Sequence, residues 1–156
     1  MKSTNLLTGL LAILGFQLQS CDIYEGTDAY GCPYSTFKTK GTVKDSQGNK
    51  IQDAKVLVKI DGIVTKEDST GVKTDTIWSS NRITYSDRKG VYENNQRGED
   101  SYRPNEVLHF DVITEKEGYE SDTIHKEVKR SDLKKEKGGE WETLRSQEIN
   151  VVLKKK

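Results

Sequence analysis

Two histidines, His109 and His125, are the only side chains here whose ordinary titration range falls near neutral pH, and they lie sixteen positions apart. A metal centre needs His, Cys, Asp or Glu at spacings that converge, and neither histidine has a cysteine close by in the sequence. Both fall on the predicted solvent faces of separate strands. A serine nucleophile needs a base and an oxyanion hole, yet no G-x-S-x-G is present to start a triad. Carboxylate pairs suitable for sugar hydrolysis arise by chance among 25 acids, and no glycine loop of the phosphate-binding kind occurs. The expectation is a chain without catalytic residues, metal or cofactor. A Lys–Asn isopeptide bond would need Asn150 in the core, but Ile149, Val151 and Leu153 claim the inward face of that strand and turn Asn150 outward. Trp78, Tyr102 and Trp141 lie in predicted loops, and these three form the candidate ligand face, suited to a glycan or a peptide.

The more specific chemistry sits at the start of the chain. Lys2 precedes an apolar run, Leu6 to Phe16, that is too short for a permanent membrane span and has the length of a secretory core. The first twenty residues hold ten hydrophobic residues and no acid. The run ends in Leu18-Gln19-Ser20-Cys21, which resembles a bacterial lipobox, with a small residue before the cut and a cysteine after it. Cleavage there makes Cys21 the acylated N-terminus, and two or more acyl chains, at about 0.8 kcal/mol per buried CH2, give a stable anchor. The alternatives are cleavage elsewhere or a Cys21–Cys32 disulfide. With Cys21 acylated, Cys32 has no partner within the chain. Residues 1–20 then form a signal peptide, 21–36 an acidic tether carrying Asp22, Glu25 and Asp28, and 37–156 the folded domain.

The domain must be built from thin material. The whole chain is 32% hydrophobic and 32% charged, with mean hydropathy -0.80. Its 25 basic residues balance 25 acidic ones, which gives no electrostatic reason to expect a nucleic-acid partner. Alternation places Phe37, Thr39, Gly41 and Val43 on one face of a strand, and Ala54, Val56, Val58 and Ile60 on one face of the next. Asp45 to Lys50 reads as the turn between them. Residues 61–81 read as a long polar excursion with a short strand near 74–79, and 93–105 as the most loop-like stretch. Leu108, Phe110 and Val112 form another inward face, 123–128 a further strand, 131–147 a charged loop and 148–153 the last strand. Six to eight short strands at this spacing predict an all-β, antiparallel β-sandwich.

Three stretches carry a resemblance. Gly41-Thr42-Val43-Lys44-Asp45 with Ala54-Lys55-Val56, then Asp87-Arg88-Lys89-Gly90-Val91-Tyr92, then Glu117-Gly118-Tyr119, are together similar to the carboxypeptidase regulatory-like, transthyretin-like β-sandwich family. The segment Tyr30-Gly31-Cys32-Pro33-Tyr34-Ser35-Thr36-Phe37, between lipobox and first strand, resembles the lipoproteins of Bacteroidota found beside a radical SAM protein (the rSAM/lipoprotein system). The resemblance implies a genomic association with a radical SAM enzyme and no activity for this chain. The expectation is a non-enzymatic lipoprotein of the cell envelope, held at the outer membrane by its lipid and serving as an interaction or structural module for an envelope protein. The alternative is a carbohydrate- or peptide-binding surface lipoprotein that uses the loop aromatics.

Overall fold

In the computed structural model, residues 34–69, 71–98 and 105–156 are described. The segment expected to be a signal peptide, Cys21, Cys32 and Tyr102 lie outside them. Nine strands are described: β1 (Tyr34–Asp45), β2 (Lys55–Asp68), β3 (Gly71–Tyr85), β4 (Val91–Gly98), β5 (Glu106–Glu115), β6 (Asp122–Lys129), β7 (Lys134–Glu136), β8 (Glu142–Glu148) and β9 (Val151–Leu153). A 3-10 turn at Arg130–Asp132 separates β6 from β7. One sheet runs β4-β1-β8-β7, with β9 continuing beside β1, and the other runs β3-β2-β5-β6. This is the β-sandwich architecture the alternation called for.

The core follows from that alternation. Phe37, Val43, Ala54, Val56, Val58, Ile60, Leu108, Phe110, Val112, Ile149, Val151 and Leu153 are all buried between the sheets, and Asn150 is exposed. Two aspartates cap the turns. Asp45 Oδ1 accepts the N–H groups of Gln47 and Asn49 at 2.9 and 2.8 Å, and Asp87 Oδ1 accepts those of Lys89 and Val91, both at 2.8 Å.

The structure differs from the sequence reading in four places. Residues 61–81 form no excursion: β2 continues to Asp68, and β3 returns from Gly71 in register as far as Tyr85, with a bulge at Gly62/Ile63. β5 accompanies β2 only as far as Val64, so among the described residues the outer part of this hairpin has no third strand beside it. Its described side chains from Thr65 to Thr74 are exposed on both faces, which is why no apolar alternation marks it. Residues 93–98 belong to β4, whose inward positions Tyr92, Asn94 and Gln96 alternate but are partly polar. Gln96 Nε2 donates to the Val58 carbonyl at 2.9 Å and Asn94 Nδ2 to that of Arg82 at 2.9 Å, so amides do there what apolar residues do elsewhere. The charged stretch 131–147 contains β7 and β8, and β8 lies inside a sheet with a neighbour on each side. Finally, the sheets are mostly but not wholly antiparallel, because β1 pairs in parallel with both β8 and β9.

The parallel seam has a local reason. At the junction of β8 and β9 the Ile149 carbonyl turns inward and accepts the Tyr92 hydroxyl at 2.7 Å, while Ile149 N–H donates to the Lys40 carbonyl at 2.9 Å. A Cβ on Gly41 would come within 1.8 Å of that carbonyl oxygen, so only glycine fits.

Candidate functional site

At the end of the sandwich where β1 begins, charge lies inside the protein. Arg130, in the 3-10 turn, and Glu106, the first residue of β5, are joined at 2.7 Å with side-chain exposures of 8% and 0%. A second guanidinium nitrogen of Arg130 donates to Ser35 Oγ at 2.9 Å. The other carboxylate oxygen of Glu106 accepts the Trp78 indole N–H at 2.5 Å. The Trp78 ring stacks on Phe37 with centroids 5.3 Å apart, and the Arg130 guanidinium lies 5.5 Å from the Phe37 centroid. Gly62 makes room: a Cβ there would lie 2.1 Å from the indole nitrogen. Four strands and a turn thus meet on one buried ion pair. With the carboxylate accepting two donors and the guanidinium held at the pair and at Ser35, the cluster ties these elements together.

This placement reassigns Trp78. It stands on β3 and not in a loop, half-buried, with its ring and its N–H both engaged inside the protein. Trp141 does lie outside a strand and is 55% exposed just before β8, where its carbonyl accepts the Tyr34 N–H at 3.0 Å. The third aromatic of the candidate ligand face, Tyr102, is beyond the described residues.

The histidines occupy the outer face of the β3-β2-β5-β6 sheet as cross-strand partners of acids. His125 Nδ1 lies 2.7 Å from Asp111, and His109 Nε2 lies 3.5 Å from Glu127. His125 is 74% exposed, and among the described residues no three metal-ligating side chains converge. The outer face of the other sheet carries a second charged network. Glu136 of β7 takes Lys40 at 3.2 Å and Lys38 at 3.5 Å, and a hydrogen bond from Ser146, with those two lysines, holds its carboxyl down at about 2. Beside it, the Thr36 hydroxyl and then the Gly139 N–H hold the Glu142 carboxyl below its usual range.

Two open grooves stand out among the described residues. One, of about 460 Å3, runs over β1, β4 and β8, where the Arg97 guanidinium sits 4.0 Å from the Tyr34 ring centroid. The other, of about 720 Å3, lies at the opposite end and is lined by Asp53, Glu115, Glu117 and Glu120 with Lys116 and Lys156. Both are wide and polar, unlike the enclosed apolar clefts that hold small substrates. The buried Glu106–Arg130 cluster escaped the sequence reading because a lone Glu and a lone Arg carry no spacing signal.

No described protein family matches the chain, and no curated protein matches it. Solved structures do. The 3-chlorocatechol 1,2-dioxygenase of Rhodococcus opacus 1CP is 18% identical with a TM-score of 0.45, over 83% of this chain and 63% of that one. The wild-type catechol 1,2-dioxygenase of Acinetobacter radioresistens is 15% identical with a TM-score of 0.46, over 85% of this chain and 55% of that one. The chlorocatechol 1,2-dioxygenase of Pseudomonas putida is 12% identical with a TM-score of 0.47, over 85% and 63%. The match thus spans less than two thirds of each dioxygenase, and at these values no activity passes from them to this chain.

Proposed function

We propose that this chain is a non-enzymatic lipoprotein of the bacterial cell envelope, anchored in the outer membrane through an acylated Cys21, whose β-sandwich serves as an interaction or structural module. The observation that carries the reading is the position of Cys21, directly after Leu18-Gln19-Ser20 at the end of an eleven-residue apolar run. The first described strand starts at Tyr34, thirteen positions on. A tether of that length reaches at most about 45 Å when extended, enough to hold a folded domain clear of a lipid headgroup layer. The transthyretin-like assignment within the sandwich class rests on Gly41-x-Val43-x-Asp45 and Ala54-x-Val56, which fall on β1 and at the start of β2 around an Asp-capped turn. The radical SAM association rests on the Tyr30 to Phe37 segment. A glycan- or peptide-binding role would draw on Trp141, since the Trp78 ring is engaged inside the protein.

Metabolic labelling with a clickable fatty acid tests the anchor. The wild-type chain is expected in the membrane fraction and labelled, and Cys21→Ser unlabelled; label retained on Cys21→Ser would falsify the assignment. The coding neighbourhood tests the association, and the absence of an adjacent radical SAM gene removes its support.

A further inference from the structure

Strands β1 and β8/β9 come from opposite ends of the described chain, lie side by side and run in the same direction. Seven residue pairs join β1 to β8, from Tyr34↔Glu142 to Lys40↔Glu148, and three join it to β9, from Val43↔Val151 to Asp45↔Leu153. Parallel pairing puts the start of β1 and the end of β9 at opposite ends of a seam about 40 Å long. A pull that separates those two points runs along the strands, so the rungs bear it together. A pull applied to both strands at one end opens the rungs one after another. From this geometry we propose that the domain is a force-carrying link, in which the β1–β8/β9 seam acts as a shear clamp against tension applied between the lipid-held N-terminal side and the C-terminal end of β9.

Three further features fit the role. The seam is flanked over part of its length, because β4 pairs the other side of β1 from Ser35 to Thr42 and β7 the other side of β8 from Leu144 to Ser146. The break between β8 and β9, the natural weak point, is bridged by Tyr92 Oη–H to the Ile149 carbonyl, by Ile149 N–H to the Lys40 carbonyl, and by Asn150 Oδ1 accepting both the Thr42 N–H and the Thr42 hydroxyl at 2.9 Å. The start of β1 is fastened through Ser35 to the buried Arg130–Glu106 pair. Such a clamp sets the rate of forced unfolding, which is the rate that matters under tension.

The proposal rests on Cys21 being the anchor for its physiological meaning, while the mechanical claim is tested without lipid. In the full chain carrying Cys32→Ser, one handle is placed on Cys21 and the other on Lys156→Cys or, in a second protein, on Glu140→Cys, which lies just before β8 at the start of the seam. Single-molecule pulling is expected to give a rupture force several-fold higher for the 21–156 pair than for the 21–140 pair. Equal forces overturn the clamp. Adding Asn150→Ala is expected to lower the 21–156 force and leave the 21–140 force unchanged; an unchanged 21–156 force removes the bridge from the proposal. Because these forces are read on unacylated protein, the clamp can fail while fatty-acid labelling succeeds, or the reverse.

Discussion

The side-chain oxygen of Asn150 accepts the backbone N–H of Thr42 at 2.9 Å, taking the acceptor position in the β1 ladder that the Ile149 carbonyl leaves when it turns toward Tyr92. A side chain completes the main-chain pairing of two parallel strands. Asn150→Ala removes that acceptor and leaves the Thr42 N–H unpaired, at an expected cost of about 1 kcal/mol. Urea unfolding should show a lower midpoint with an unchanged slope, and Asn150→Asp, which keeps the oxygen but sets a carboxylate where the amide donates to Glu148 Oε1 at 3.0 Å, should recover only part of it at neutral pH.

Gly41→Ala is expected to be far worse, although it adds one methyl group. The new Cβ would lie 1.8 Å from the Ile149 carbonyl oxygen and 3.0 Å from the Tyr92 ring, and both neighbours belong to the same junction. Relief requires the strands to separate, so the loss should reach or exceed the top of the roughly 1–3 kcal/mol range for overpacking. A variant that matches the wild-type melting temperature would contradict the close approach.

The Glu106–Arg130 pair gives an asymmetric expectation. Glu106→Gln removes the buried carboxylate charge that Arg130 meets at 2.7 Å and should cost about 3–5 kcal/mol. The double variant Glu106→Leu with Arg130→Met removes both charges and should be less destabilised than Glu106→Gln alone. A double-mutant cycle measured by chemical denaturation decides it, and additive single effects would show that the two side chains are not coupled.

Acid sensitivity should centre on Glu136. Its carboxyl is held at about 2 against an ordinary 4.5, first by the Ser146 hydrogen bond and then by Lys40, with Lys38 adding its charge. A folded value below the unfolded one means the contribution is complete above about 4.5 and is lost as pH falls toward 2. The melting temperature of the wild type should therefore drop across that window, and that of Glu136→Gln should drop less. Parallel curves for the two proteins would rule Glu136 out as a source of the acid dependence.

The apolar alternation revealed the central strands because one face of each meets the other sheet: Val56, Val58 and Ile60 opposite Phe37 and Val43 need no context to be placed. It failed where burial is achieved by other means. Asn94 and Gln96 face the interior and donate their amide N–H groups to the Arg82 and Val58 carbonyls, so the strand reads as a loop. β8 pairs on both sides yet carries Glu142, Arg145 and Glu148, because its charges meet partners on neighbouring strands or solvent. Among the described residues the outer hairpin of β2 and β3 has no opposing layer to impose a pattern, and its Thr- and Val-bearing strands are legible only as propensity. For the candidate sites, spacing placed His109 and Asp111 on an outer face, while the Trp78–Glu106–Arg130 cluster depends on contacts between residues 28 and 24 positions apart, which no local window contains.

That buried pair also constrains how the sequence can drift. Glu106 and Arg130 each become harmful when the other is lost, so neutral change at either position needs a matching change at its partner. Relatives of this chain should keep both residues or replace both together with apolar ones, and the Trp78–Gly62 contact should vary in step, since a residue larger than glycine at 62 is admitted only once the indole is gone. Covariation among positions 62, 78, 106 and 130 is thus a fingerprint by which distant members can be recognised when overall identity no longer serves.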